Sequence, residues 1–487
     1  MRGLAIALPA VAVMAGLVLA GCAGGGGDPG AVTGESGVRA AEKTLVHHDW
    51  TRFGWDAQRS NDAQIDTGIT AANVGRLTRQ QVQLPGTVDS SPIYLHDVVI
   101  GGSRHDAFFV TTTYGVTLAV DAASGSILWR WTPPGIDSWA GSSQITTATP
   151  VADPDRAWIY AASPDGYIQK LSVANGHVAW RRSITKLPTR EKIAAALNFD
   201  RGHVVATTGG YIGDTPPYQG HVAIIAAKSG KLLRIWNSLC SNRHELIEPA
   251  SCPASDSAIW GRAGAVVVPG SGNLLVATGN APWNGRTDWG DAVLLLPPSA
   301  THLLGNYTPS NTEELNATDA DLGSSSPVYL TKKLVAQGGK DGKIRLLSMQ
   351  RLLGAAAHRD HELQVVSTPS GTDLFTAPAV WRTGSRTWLF AADNGATAAW
   401  ALVNGRLRAI WNDAQGGTSP VLAGGLLWVY GPGGGLRVYR PASGALVTTL
   451  DAGSGHWNSP IVVDGRVALP EGNANDHATS GVLDIWR

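Results

Sequence analysis

The sequence predicts an all-β protein, an eight-bladed β-propeller whose ring is closed by an N-terminal strand that completes the last blade. Three observations carry this. Glycine is abundant, 59 of 487 residues, alongside 27 Pro and 18 Trp, while charged residues make up only 16%; that composition is rich in turns and poor in polar-faced helices. A small residue, Pro and an apolar residue recur together at Ser91-Pro92-Ile93, Thr149-Pro150-Val151, Ser326-Pro327-Val328, Ala377-Pro378-Ala379, Ser419-Pro420-Val421 and Ser459-Pro460-Ile461. Outside one long gap they are spaced by about 40 to 60 residues, the length of a four-stranded blade. A Gly turn followed by Trp closes many of these units.

Ahead of the repeat, Arg2 precedes an apolar run from Leu4 to Ala20, then Leu19-Ala20-Gly21-Cys22 and the glycine tract Gly24 to Gly27. Charge, apolar run and small residues in that order read as an export signal. A Cys directly after Leu-Ala-Gly resembles the bacterial lipobox, which implies cleavage before Cys22 and a lipid on it. Residues 1–22 are therefore expected to be a lipoprotein signal, 23–44 a flexible Gly-rich linker, and 45–487 the propeller. The chain is expected outside the cytoplasm, in the periplasm or on the surface of a bacterium, and held to a membrane through Cys22.

Each blade then follows. The turn Asp121-Ala122-Ala123-Ser124-Gly125 leads into Trp129, Asn175-Gly176 into Trp180, Ser229-Gly230 into Trp236 and Asn404-Gly405 into Trp411, while Ser443-Gly444 repeats the turn without the Trp. Asn-Gly and Ser-Gly supply the positive φ of a tight hairpin, and an indole after the last strand fills the wedge between neighbouring blades. Two further blades fit the gap between Pro150 and Pro327, around 193–236 and 258–296. The last segment, 455–486, is one strand short, and the unassigned stretch Trp50 to Trp55 is expected to supply the missing strand and remove the sheet edge.

Charge and cysteine narrow the function. With 38 Lys+Arg against 38 Asp+Glu, the chain has no electrostatic footprint for nucleic acid, which is excluded as a partner. With Cys22 lipidated, Cys240 and Cys252 remain, and in an oxidising compartment they are expected to be bridged; free thiols or half of a metal site are the alternatives. No zinc-protease helix, phosphate loop or nucleophile elbow is present.

The turn Ala119-Val120-Asp121 with Gly125 and Trp129, and the opening Trp50-Thr51-Arg52-Phe53-Gly54-Trp55-Asp56, are similar to pyrroloquinoline-quinone (PQQ) repeat propellers. Two classes of that superfamily matter: quinoprotein alcohol dehydrogenases, which bind PQQ and Ca²⁺ on the axis, and outer-membrane assembly lipoproteins, which dock other proteins without a cofactor. Thr278-Gly279-Asn280-Ala281-Pro282-Trp283-Asn284 resembles the dehydrogenase motif whose Asn ligates calcium, so the resemblance implies Asn280 as a ligand; a Gly-Asn turn is the plainer alternative. Counting back from Pro327 across Asp319-Ala320-Asp321 implies Asp321 as the base that removes the alcohol proton and as a further calcium ligand; capping a turn is its alternative. Lys340, in Gly339-Lys340-Asp341-Gly342, corresponds to a Lys that contacts the quinone, or is simply part of a rim hairpin. Trp260-Gly261-Arg262 lies where the family places an indole under the cofactor ring, which implies Trp260 and Arg262 as cofactor-binding residues.

The departures are equally concrete. The vicinal Cys-Cys of many such enzymes is missing between Trp131 and Pro150, the calcium-ligating Glu is absent near Tyr211-Ile212-Gly213, leaving Asp214 as its substitute, and no Cys-x-x-Cys-His haem motif occurs. Electrons would pass to a separate carrier. The expected function is thus oxidation of a small alcohol or sugar with PQQ and Ca²⁺; the alternative is a non-catalytic platform for proteins of the cell envelope.

Overall fold

The computed structural model describes residues 45–487; the export signal, Cys22 and the linker lie outside them. Eight antiparallel sheets follow one another along the chain. Blades 1 to 7 span residues 93–131, 151–183, 198–237, 266–307, 328–367, 379–413 and 421–450, each with its first strand on the inner side, which in blade 7 pairs with one further strand. Blade 8 combines residues 461–486 with Arg79–Leu84 as its outer strand. The ring is therefore closed by an N-terminal strand, as expected, but not by Trp50 to Trp55. Closure is held by Arg79, whose guanidinium reaches Asp484 (2.8 Å), Glu471 (2.6 Å) and Asp451 (2.9 Å). Among the described residues no helix is long and apolar enough to cross a membrane.

The tryptophans do what the repeat implies. The Trp129 Nε1–H donates to Val173 O (2.8 Å), that of Trp180 to Ala227 O (3.0 Å) and that of Trp411 to Pro441 O (2.8 Å), each in the next blade. The turn glycine beside each acceptor has positive φ, +72° at Gly176 and +68° at Gly230. A Cβ there would lie 2.7 Å and 2.6 Å from the indole of Trp129 and Trp180. Glycine is thus required twice over, by backbone conformation and by the indole lying flat on the turn.

Residues 50–67 form a strap that runs past the inner strands instead of joining the last sheet. Its carbonyls accept from five blades: Thr51 from Ala152 N–H, Ala57 from Val267, Ser60 from Val380, Asn61 from Leu422 and Thr67 from Gly465, all at 2.7–2.9 Å. Trp50 bridges Tyr94 of blade 1, and Asp62–Ala63 adds a parallel strand inside blade 7. Phe53 packs with Leu322 and Tyr329 around blade 5. Those links span up to several hundred residues of sequence, and hold the ring together from one end of its axis.

Cys240 and Cys252 are disulfide-bonded. The bridge ties down the excursion after blade 3, where Leu239, Ile247, Cys252 and Ala281 form a small cluster of their own. Reduction is expected to release about 3 kcal/mol of local stability, the value for a loop of this size. Limited proteolysis with and without dithiothreitol checks it: cleavage should appear between 240 and 252 while the blades remain resistant.

Candidate active-site cavity

Inner strands enter the sheet at one end of the axis, and the loops leading into them enclose a cavity of about 640 Å³. Four predicted residues line it: Asp214, Trp260, Asp321 and Lys340. Lys340, from the hairpin of blade 5, places Nζ 2.9 Å from Asp321 Oδ2 and 2.8 Å from Asp319 Oδ1. It also lies 5.5 Å from the ring centre of Trp260. Trp260 in turn contacts Phe375 (5.9 Å) and Trp457 (5.6 Å), building an aromatic wall. Asp214 lines the same cavity and accepts from Tyr218 Oη (2.8 Å).

Asn280 arrives differently from the prediction. Its backbone N–H donates to Asp321 Oδ1 at 2.6 Å, and the residue is not among those lining the cavity. Gly279 is needed for this approach, because a Cβ there would meet Asp321 Oδ1 at 2.7 Å. Burial raises the Asp321 carboxyl above the ordinary range against the opposing pull of Lys340 and Asn280 N–H. Burial alone would lower Lys340, but Asp321 and Asp319 outweigh it and raise it.

The calcium set of Asn280, Asp321 and Asp214 is not assembled. Both Asp321 oxygens are engaged, one by an N–H and one by an ammonium, so a divalent ion there would have to displace Lys340. Among the described residues no three carboxylate, imidazole or thiolate ligand atoms gather at this cavity, whereas calcium collects six to eight oxygens. As arranged, the groups hold a lysine.

Arg262 corrects a second expectation. It is 1% exposed and donates to the carbonyls of Thr147 (3.1 Å), Ala194 (3.4 Å), Asp89 (3.4 Å) and Trp457 (3.1 Å). The tight turn Gly261 to Gly264 directs it away from the cavity, so it fastens the loops entering four blades instead of contacting a ligand. Its guanidinium lies 6.0 Å from the ring of Phe53 and 5.3 Å from that of Trp457. A column thus runs from the strap up to the cavity wall.

Two further groups are supplied by loops that carry no motif. Lys192, just before blade 3, lines the cavity with Nζ 5.5 Å from the Trp457 ring and no ion-pair partner among the described residues. Burial pushes it down to about 8. His456 also lines the cavity, and its Nδ1 lies 2.6 Å from Asp89 Oδ2. The only sequence signal for it was its place four residues before the Pro460 that opens blade 8.

Comparison with known proteins agrees with this architecture. Residues 74–289 match the family described as outer membrane protein assembly factor BamB, a PQQ-repeat family. Residues 74–289 thus carry PQQ-type repeats within an eight-bladed β-propeller. The curated quinohemoprotein alcohol dehydrogenase ADH IIB of Pseudomonas putida is 24% identical over 335 residues, 63% of this chain. This chain spans about half the length of that relative, 46% of it. Quinohemoprotein alcohol dehydrogenase from Comamonas testosteroni superposes with a TM-score of 0.66 at 16% identity, over 90% of this chain and 80% of that one. A europium-containing methanol dehydrogenase gives 0.65 at 13% identity, over 90% and 98%. These structures share the propeller fold, and sequence similarity to a quinohemoprotein alcohol dehydrogenase is at low identity.

Proposed function

We propose that the protein is a quinoprotein dehydrogenase that holds PQQ in the axial cavity, oxidises a small alcohol or sugar and passes electrons to a separate carrier. The observation that carries this is the cavity itself: an aromatic wall of Trp260 and Trp457 with Lys340 at one side and Lys192, which has no ion pair among the described residues, at another. PQQ is a planar, multiply carboxylated o-quinone. Flat rings suit stacking on an indole, and its carboxylates suit two ammonium groups in a partly dry site. When bound, the cofactor supplies the hydride-accepting quinone carbon. The chain's own residues do the rest. Lys340 is shared between Asp321 and the ligand; as it turns to the ligand, Asp321 Oδ2 is freed to accept the substrate hydroxyl proton. Trp260 and Phe375 keep water off that face.

Calcium has no step in this reading, because the donor set does not form around it. Export and attachment through the lipid on Cys22 belong to the proposal, and place the reaction outside the cytoplasm.

Reconstitution tests it. Titrating the purified protein with PQQ should quench tryptophan fluorescence, and the loaded protein should reduce an artificial dye in the presence of alcohols or aldoses. Absence of both overturns the reading in favour of an envelope docking platform, the role carried by the name of the matching family. A pH series adds a finer check. Lys192, with a folded value of about 8, is a cation below that pH and neutral above it, so PQQ affinity is expected to fall as pH rises through about 8. Lys192→Gln should bind more weakly at pH 7 and lose this dependence.

A further inference from the structure

We propose that His456 is a second acid–base group of the cavity, carrying protons between a bound ligand and solvent, with Asp89 as the residue that positions it. This rests on the quinoprotein reading for the nature of the ligand, and on geometry for everything else.

Asp89 precedes blade 1 and His456 precedes blade 8, and the closing of the ring brings them together. The Asp89 carboxylate is completely buried. Its Oδ1 accepts from Trp457 N–H (2.7 Å), and its Oδ2 accepts from Ala474 N–H (3.0 Å) and faces His456 Nδ1 at 2.6 Å. Burial would raise this carboxyl, but His456, Arg262 and the Ala474 N–H outweigh it and hold it below the ordinary range. An ionised carboxylate at that distance requires the proton on Nδ1. The basic lone pair is thereby fixed on Nε2, which has no hydrogen-bond partner among the described residues, on a ring that lines the cavity.

The ring is also held in orientation. It stacks on Trp457 at 4.6 Å and 14°, while the His456 N–H donates to Asn458 Oδ1 (2.8 Å). Charged groups around this stack are Asp89 at Nδ1, with Lys192 and Arg262 against Trp457. The contrast with Asp321 gives His456 its role. Asp321 is 3% exposed and both its oxygens are engaged, so a proton delivered to it has no direct exit. The His456 side chain is 25% exposed and has a free nitrogen. In the step proposed, an O–H bond of the ligand or of an intervening water breaks and an N–H bond forms at Nε2. The imidazolium is balanced by Asp89, and water at the cavity mouth removes the proton. No electron changes hands at His456.

The test uses the full-length protein with PQQ. Diethyl pyrocarbonate acylates neutral, accessible imidazole nitrogen. Mass spectrometry should show His456 modified in the free protein and protected at least tenfold by saturating PQQ. His456→Gln keeps a polar, hydrogen-bonding side chain but cannot take up a proton. It should retain the circular dichroism and PQQ affinity of the parent, lose about 10²–10⁴-fold in kcat, lack the acid limb of the pH–rate profile, and recover part of its rate with added imidazole. Equal labelling with and without PQQ, or a His456→Gln variant with parental kcat and pH profile, overturns the inference while leaving the quinoprotein reading intact. If the parent protein binds no PQQ, that reading fails, and this inference with it.

Discussion

Replacing Lys340 by Met is expected to destabilise the fold by about 3–5 kcal/mol at pH 8, the usual consequence of stranding a buried charge, and to abolish the PQQ binding proposed above. The side chain of Asp321 is 4% exposed, and Lys340 is its cationic partner at 2.9 Å. The backbone N–H of Asn280 is left as its main support, which is too little for an ionised carboxylate away from water. The chain can respond by protonating Asp321, and this sets the pH signature. In the variant the folded carboxyl rises further above its unfolded value, already exceeded in the parent through burial. For a group raised in this way, stability is fully present below the unfolded value and lost as pH rises through the folded one. The deficit relative to the parent should therefore be small near pH 4 and grow toward pH 8. Urea denaturation at the two pH values measures it. A double variant, Lys340→Met with Asp321→Asn, removes the charge as well and should recover most of the loss at pH 8; a loss that is equal at both pH values and not recovered would show that Lys340 acts through packing alone.

What could be read from the sequence divides along physical lines. Blade starts and tryptophan turns were legible because they are local: Gly176 and Trp129 meet through neighbouring repeats, and the repeat displays the same pair again at Gly230 and Trp180. Trp260 and Asp321 were found through motifs on the loops entering blades 4 and 5, and Lys340 through one on a hairpin of blade 5; the structure brings all three to one cavity. Arg262 was misassigned because proximity in sequence to Trp260 says nothing about a side chain turned inward by the Gly261 to Gly264 turn. Lys192, His456 and Asp89 carry no motif. They matter only once the blades stand around a common axis, which brings the loops before blades 1, 3 and 8 together and leaves no short-range pattern. The strap was missed for the same reason. Its partners are scattered along the chain from Tyr94 to Gly465, and an irregular segment with no alternation of apolar and polar residues gives no period to detect.

That strap has one residue on which its attachment depends. Arg59 is 3% exposed, and its guanidinium donates to Ala263 O (3.0 Å), Leu197 O (2.7 Å) and Ala196 O (3.3 Å) as well as to Phe53 O within the strap. Burial, with Arg52 nearby, pushes it down to about 9, still charged at neutral pH. Hydrogen bonds from a charged donor contribute about 1.5–3 kcal/mol each, and buried carbonyls left without a donor add a penalty. Arg59→Met is therefore expected to cost more than about 4 kcal/mol, at the extreme of single substitutions. Lysine should not rescue it, since one ammonium cannot reproduce a planar fork that serves carbonyls on several sides. The loss should have a spatial pattern that ordinary core damage lacks. The amides of Ala152, Val267, Val380, Leu422 and Gly465 donate to strap carbonyls, and in native-state hydrogen exchange all five should lose protection together although they belong to five blades. Interior amides of the same blades should keep theirs until global unfolding. Uniform loss across each blade would mean that Arg59 supports the ring as a whole. Loss confined to the neighbourhood of Ala263 and Leu197 would mean that the strap stays in place without it. Because Phe53 stands between Arg59 and Arg262, 5.9 Å from one and 6.0 Å from the other, detachment should also reach the cavity. Arg262, which packs against both Phe53 and Trp457, would lose the first of these rings, and the PQQ affinity proposed above should fall in Arg59→Met although Arg59 itself touches no ligand.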